Sequence, residues 1–258
     1  MSLIASDISV SLGRKQVLHG VSVSAQAGEF TAIVGPNGSG KTTLMRSLTG
    51  ELACRGRITL NGRDIARMPP EELARHRGVL PQAAELSFPF TVAEVVRIGI
   101  EGQAGRTEAL IPQALAAVGL PGFSGRLYQE LSGGEQQRVQ LARVLAQVWQ
   151  PVDKETGPRW LMLDEPVSSL DIAHQLTVMR LAADYARAGG GVIAVMHDLN
   201  LTALFAQRLV LMCAGRVLAQ GRPEEVLSDD TLSCAYGCRL RVNATPESGI
   251  WVLPHLAA

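Results

Sequence analysis

The run Gly35-Pro36-Asn37-Gly38-Ser39-Gly40-Lys41-Thr42 follows an apolar stretch ending at Val34 and leads directly into a helix-like segment. Glycines at this spacing let backbone N–H groups turn inward around phosphate oxygens, and the start of the following helix adds partial positive charge. In such a loop Lys41 reaches the β- and γ-phosphates of a bound nucleotide and the Thr42 hydroxyl ligates Mg2+; Thr43 is the next candidate for nucleotide binding. A second signal is Trp160-Leu161-Met162-Leu163-Asp164-Glu165, an apolar run ending in two carboxylates. The C-terminal ends of parallel strands are where such sheets bind ligands. There Asp164 can hold Mg2+ through water, and Glu165 can orient or deprotonate an attacking water as a general base. The third signal is Leu131-Ser132-Gly133-Gly134-Glu135-Gln136, opening an amphipathic segment. Ser132 and Glu135 have the spacing of a capping box, which needs no ligand, yet the amides exposed at Gly133 and Gly134 also make an anion site.

These groups need a scaffold that places strand ends beside helix starts. Short apolar runs bounded by Gly or Pro recur at Phe30–Val34, Trp160–Leu163, Gly191–Met196 and Leu209–Cys213, the pattern of parallel strands buried on both faces. Three- and four-residue spacing predicts helices over Thr42–Leu48, Glu135–Val148 and Leu176–Arg187. Alternation at Ile8, Val10 and Leu12, and loosely over Val17–Val23, predicts antiparallel strands with one wet face, and Arg57–Asn61 reads as another strand. Between Gln82 and Glu130 the pattern turns helical, best at Thr91–Ile100 and Glu108–Val118; after Pro223 a short helix, Pro223–Leu227, precedes a tail without clear period. The fold class is therefore α/β: a mostly parallel sheet flanked by helices, with an N-terminal antiparallel β-subdomain and an inserted helical subdomain.

Composition narrows the partners. The 258 residues carry 24 basic and 24 acidic side chains, so no global basic field gathers nucleic acid. No apolar run approaches the roughly 20 residues of a membrane-spanning helix, and Met1–Val10 has no secretory signal pattern, which predicts a cytoplasmic protein. Cys54, Cys213, Cys234 and Cys238 form no CxxC pair and suit a reducing compartment. His19, His76, His174 and His255 share no ligand spacing, so no structural metal or bound haem is expected. The arginines between Arg55 and Arg77 read as a solvated surface, with a face toward lipid headgroups as the alternative.

Leu131 to Gln136 resembles the signature motif that defines ABC ATPases among phosphate-loop proteins, and the resemblance extends over roughly Leu3 to Leu227. It implies one nucleotide-binding domain over 1–258, with core and β-subdomain at 1–81 and 136–258 and the helical insertion, ending in the signature, at 82–135. It also implies a homodimer of cassettes in which Leu131, Ser132, Gly133, Gly134, Glu135 and Gln136 of one copy close over ATP held by the other. Gln82 matches the glutamine that touches Mg2+ and the attacking water, Ser169-Leu170-Asp171 the segment communicating across the dimer, and His197 the histidine at the γ-phosphate. One departure stands out. Where many members stack an aromatic residue on adenine, this chain has Leu12, which predicts modest discrimination between ATP and GTP.

Asp171-Ile172-Ala173-His174-Gln175, His197-Asp198-Leu199-Asn200 and Gly221-Arg222-Pro223-Glu224-Glu225-Val226-Leu227 look like the motors of bacterial importers for iron chelates, haem and cobalamin. Phe88-Pro89-Phe90-Thr91-Val92 and the insertion from Trp149 to Trp160 are similar to the haem subgroup, which makes haem the expected cargo. A siderophore or cobalamin is the alternative cargo, and an iron–sulfur assembly ATPase the alternative outside transport. The resemblance further implies two copies of a membrane permease, a periplasmic substrate-binding protein acting indirectly, and a peripheral place on the cytoplasmic face of the inner membrane. Phe88 and Phe90 read equally as core residues or as the lining of a groove for a permease helix.

Overall fold

The computed structural model describes residues 1–82, 86, 88–100, 108–245, 248–250 and 252. The chain begins with a hairpin, β1 (Ser2–Leu12) and β2 (Lys15–Gln26), joined by two residues. Gly13 takes a φ of 60°, as the first central position of a tight hairpin turn requires. β3 (Phe30–Val34) runs into the glycine-rich loop and α1 (Lys41–Leu48). β4 (Arg55–Leu60) and β5 (Arg63–Asp64) then return to the hairpin, giving an antiparallel sheet in the order β2-β1-β4-β5.

After α2 (Pro70–His76) and β6 (Arg77–Leu80) come three helices, α3 (Val92–Ile98), α4 (Leu110–Ala117) and α5 (Gly133–Gln147). A small hairpin, β7 (Val152–Asp153) and β8 (Gly157–Pro158), fills the insertion before β9 (Trp160–Asp164) and is held by an Arg159–Asp153 ion pair at 2.6 Å. α6 (Ile172–Arg187), β10 (Gly191–Val195), α7 (Leu199–Phe205), β11 (Arg208–Cys213) and β12 (Arg216–Gly221) follow. The chain then forms α8 (Pro223–Val226) and α9 (Asp229–Tyr236). The second sheet has the order β12-β11-β3-β10-β9-β6; every neighbouring pair is parallel except β11 with β12.

All five residues of β3, β9 and β10 are buried, and successive side chains face opposite cores, as a period of two demands. Phe30, Ala32, Val34, Leu161, Leu163, Val192 and Ala194 pack with the helices, whereas Ile33, Trp160, Met162, Ile193 and Val195 pack under α1 and the antiparallel sheet. Trp160 joins the two layers: its Nε1 donates to Asn61 Oδ1 at 3.1 Å, and Asn61 Nδ2 donates to the Pro158 carbonyl at 2.8 Å. Two continuous apolar slabs thus hold the strand ends of β3, β9 and β10 side by side, and the loops leaving those ends meet at one edge.

Several elements differ from the sequence reading. β6, β12, α2 and α7 are too short for apolar periodicity to show, and the tail beyond α8 contains α9, capped by the Ser228 side chain and ended by Gly237 at a φ of 68°. α5 begins at Gly133, so the expected border between positions 135 and 136 falls inside its first turn; the helix packs against α3, α4 and β6 alike. Among the described residues no helix is long and apolar enough to cross a membrane.

Candidate nucleotide-hydrolysis site

Between β3 and α1 two glycines, Gly35 and Gly40, sit where a side chain would clash with its neighbours. Gly35 has a φ of 145°, and a Cβ there would lie 2.1 Å from the Met212 carbonyl oxygen on β11. Gly40, left-handed at a φ of 99°, caps α1 without any side-chain bond, so the first amides of the helix stay open to an anion. Lys41 is buried and folds back over the loop, donating to the Gly35 carbonyl at 2.9 Å and the Pro36 carbonyl at 3.1 Å. Burial pulls its ammonium below the usual lysine range, against the opposing pull of Glu165 and Asp164. Ser39 Oγ is buried in the same loop with no hydrogen-bond partner among the described residues.

Asp164, 4% exposed at the end of β9, accepts from Thr42 Oγ1 at 3.4 Å. Burial, with Glu165 adding to it, raises its carboxyl to about 6, and Thr42, Lys41 and His197 only partly offset this. A desolvated carboxylate, a hydroxyl and the nearby Gln82 amide are the hard oxygen donors a small divalent cation takes, and such a cation would offset the desolvation of Asp164. These residues fit Mg2+.

The next residue, Glu165, adopts a left-handed φ of 54°, a conformation that costs a non-glycine residue on the order of 1 kcal/mol. Contacts on three sides hold it. Its amide donates to the Val195 carbonyl at 3.1 Å, and its carbonyl accepts from Gln137 Nε2 at 3.0 Å and Ser168 Oγ at 3.2 Å. The carboxylate meets His197 Nε2 at 2.6 Å. An ionised carboxylate only accepts, so in this pair Nε2 carries the hydrogen.

A cleft of about 570 Å³ brings together Lys15, Val17, Asn37, Gly38, Gly40, Lys41, Thr42, Thr43, Gln82, Glu165 and His197. A smaller cavity of about 190 Å³ behind α1 shares Thr42 and Gln82 with it and reaches Asp164. Of the residues expected at the nucleotide, Leu12 does not line the cleft and is 46% exposed at the hairpin tip. Its cross-strand partner Lys15, with Val17, lines it instead.

The signature stands apart from this cleft. Ser132 and Glu135 form the capping box of α5: Ser132 N donates to Glu135 Oε2 at 2.8 Å, and Glu135 N to Ser132 Oγ at 3.4 Å. Gln136 Nε2 steadies the preceding turn through the Tyr128 and Leu131 carbonyls. Gly134 lies against the Ser169–Asp171 segment, since a Cβ on it would sit 3.1 Å from the Ser169 carbonyl and 3.3 Å from the Leu170 side chain. Asp171 caps α6 and receives the His174 amide at 2.9 Å. His255 lies outside the described residues.

Residues 18–168, the phosphate loop through the strand carrying Asp164 and Glu165, match the ABC transporter family. The chain belongs to that family. It is 62% identical over 257 residues to the hemin import ATP-binding protein HmuV of Jannaschia sp. (strain CCS1), covering 99% of this chain and 95% of that protein. It is 59% identical to the HmuV of Rhizobium meliloti (strain 1021), covering 98% of each. Among solved structures, an ATP-binding cassette of an ABC transporter in its ADP conformation superposes with a TM-score of 0.76 at 27% identity, over 92% of this chain and 98% of that one. The chain is an ABC ATPase.

In this ABC cassette four functional candidates are absent from the sequence reading. Gln137 ties the signature helix to the Glu165 backbone, a contact between positions 28 apart that no local pattern reveals. Lys15 and Val17 reach the cleft only through hairpin register. Tyr236, on α9, sets its hydroxyl beside the Gly35 amide; burial pushes that phenol up, and the amide pulls it down.

Proposed function

We propose that this cassette is the ATP-hydrolysing motor of a bacterial hemin importer, working as a homodimer beneath two copies of a membrane permease fed by a periplasmic binding protein. The observation that carries the hydrolysis reading is the convergence of Lys41, Thr42, Gln82, Glu165 and His197 on one cleft. The cargo reading rests on relatives named hemin import ATP-binding protein at 54–62% identity over nearly the whole chain. The docked position is peripheral, on the cytoplasmic face of the inner membrane, with 82–135 as the helical insertion that meets the permease.

Lys41 exchanges its two carbonyl partners for β- and γ-phosphate oxygens, while the amides of Asn37, Gly38 and Gly40 surround the phosphates. Thr42, Asp164 and Gln82 hold Mg2+, which supplies charge neutralisation at the phosphates. Glu165 accepts the proton of the attacking water, and His197 keeps its carboxylate aimed by donating from Nε2. Ser132 to Glu135 of the second copy supply the remaining anion contacts, and Ser169 to Asp171 lie where that copy's nucleotide is sensed.

The test is to isolate the permease complex with its binding protein and measure ATP hydrolysis. Stimulation several-fold by hemin-loaded binding protein is expected; stimulation by a ferric siderophore or cobalamin, and not by hemin, overturns the cargo.

The structure separates the two phenylalanines. Phe90 packs against the helical core, whereas Phe88 is 69% exposed, 6.2 Å from Phe90 in edge-to-face contact. This exposure favours Phe88 over Phe90 as the residue that meets a permease helix. Phe88→Asp should release the permease on co-purification without lowering the melting temperature of the isolated cassette. An intact complex would sink this docking reading.

A further inference from the structure

The nucleotide cleft lacks the feature that normally grips a base: no aromatic side chain lines it among the described residues. What borders its outer end is one strand. Leu18, whose side chain lies 2.8 Å from a Cβ placed on Gly40, marks where β2 touches the phosphate loop. Val17, at the register shift where Val10 pairs with Leu18 and Ser11 with Gln16, is its neighbour, and Lys15 lies two residues farther toward the hairpin turn. A nucleotide whose phosphates lay beside Gly40 would therefore meet Val17 before Lys15, which would be nearer the base. Lys15 pairs directly with Leu12 across the two-residue turn, which fixes its place. No ion pair involving Lys15 occurs among the described residues, and it is exposed enough to turn its ammonium toward a ligand.

An ammonium has three donors and no acceptor. Guanine and hypoxanthine offer two adjacent acceptors, O6 and N7, whereas adenine offers N7 beside an amino donor that opposes the ammonium. We propose that Lys15 is a specificity-determining residue that reads the O6/N7 edge of the base, so that the cleft takes 6-oxopurine nucleotides at least as well as ATP. This rests on the cleft being the nucleotide site.

The test measures displacement of a fluorescent nucleotide from the full chain by ATP, GTP and ITP in the presence of Mg2+. In the unaltered protein GTP and ITP should match or exceed ATP. Lys15→Ala should weaken GTP and ITP roughly tenfold relative to ATP, the usual scale for losing a charge-assisted hydrogen bond. Lys15→Arg, which keeps the donors, should restore the ratio. A wild-type preference for ATP of tenfold or more, or a Lys15→Ala effect equal for all three, would overturn the role of Lys15 while leaving the nucleotide site in place. Failure of every nucleotide to bind the unaltered chain would remove the site itself, and this proposal with it.

Discussion

Glu165→Gln is expected to lower ATP turnover by two to four orders of magnitude while leaving ATP binding intact, so that an ATP-bound dimer accumulates. The substitution is nearly isosteric, and the glutamine carbonyl oxygen can still accept from His197 Nε2, as the carboxylate does now at 2.6 Å. The backbone contacts to Val195, Gln137 and Ser168 do not involve the side chain, so the left-handed turn at Glu165 survives. What disappears is the ability to take a proton from water. Turnover by the purified permease complex and gel filtration of the cassette with ATP and Mg2+ measure the two halves of this expectation. Unchanged turnover would refute the general-base role, and lost binding with slow turnover would instead assign Glu165 to holding the nucleotide.

The features that make this expectation possible were unequally visible in the sequence. The phosphate loop and the two carboxylates were legible because each is local: an apolar run, then a fixed set of residue types, with the strand and helix appearing where the pattern puts them. The capping box at Ser132 was legible for the same reason, and it forms alongside whatever anion contact the amides make. Strain at Glu165 was invisible, since nothing about a glutamate after a strand announces a φ of 54°. β6 and β12 were missed because each is short and its burial is set by neighbours distant in sequence. Leu12 shows the limit most clearly. The missing aromatic residue could be read directly, but the residue that takes its place at the cleft depends on which position of β2 lies opposite, and register is a property of the pair of strands.

A second large effect follows from where the signature sits. Ser132 to Gln136 lie outside the cleft that holds Lys41 and Glu165 in the same chain. If each active site combines the phosphate loop of one copy with the signature of the other, Lys41→Ala and Ser132→Arg should each reduce hydrolysis more than a hundredfold when tested alone. The first removes the lysine that folds over the phosphate loop. The second puts a bulky side chain at the α5 start and breaks the capping box. Mixed, the two variants should recover activity. In a mixed dimer one site receives both defects, and the other pairs an intact phosphate loop with an intact signature. With random exchange half of the dimers are mixed, so restored sites approach roughly a quarter of the total. Recovery well above the sum of the separate variants therefore requires sites shared between copies. Activity no greater than that sum, in a mixture shown by cross-linking to contain mixed dimers, would mean that each chain carries its own complete site.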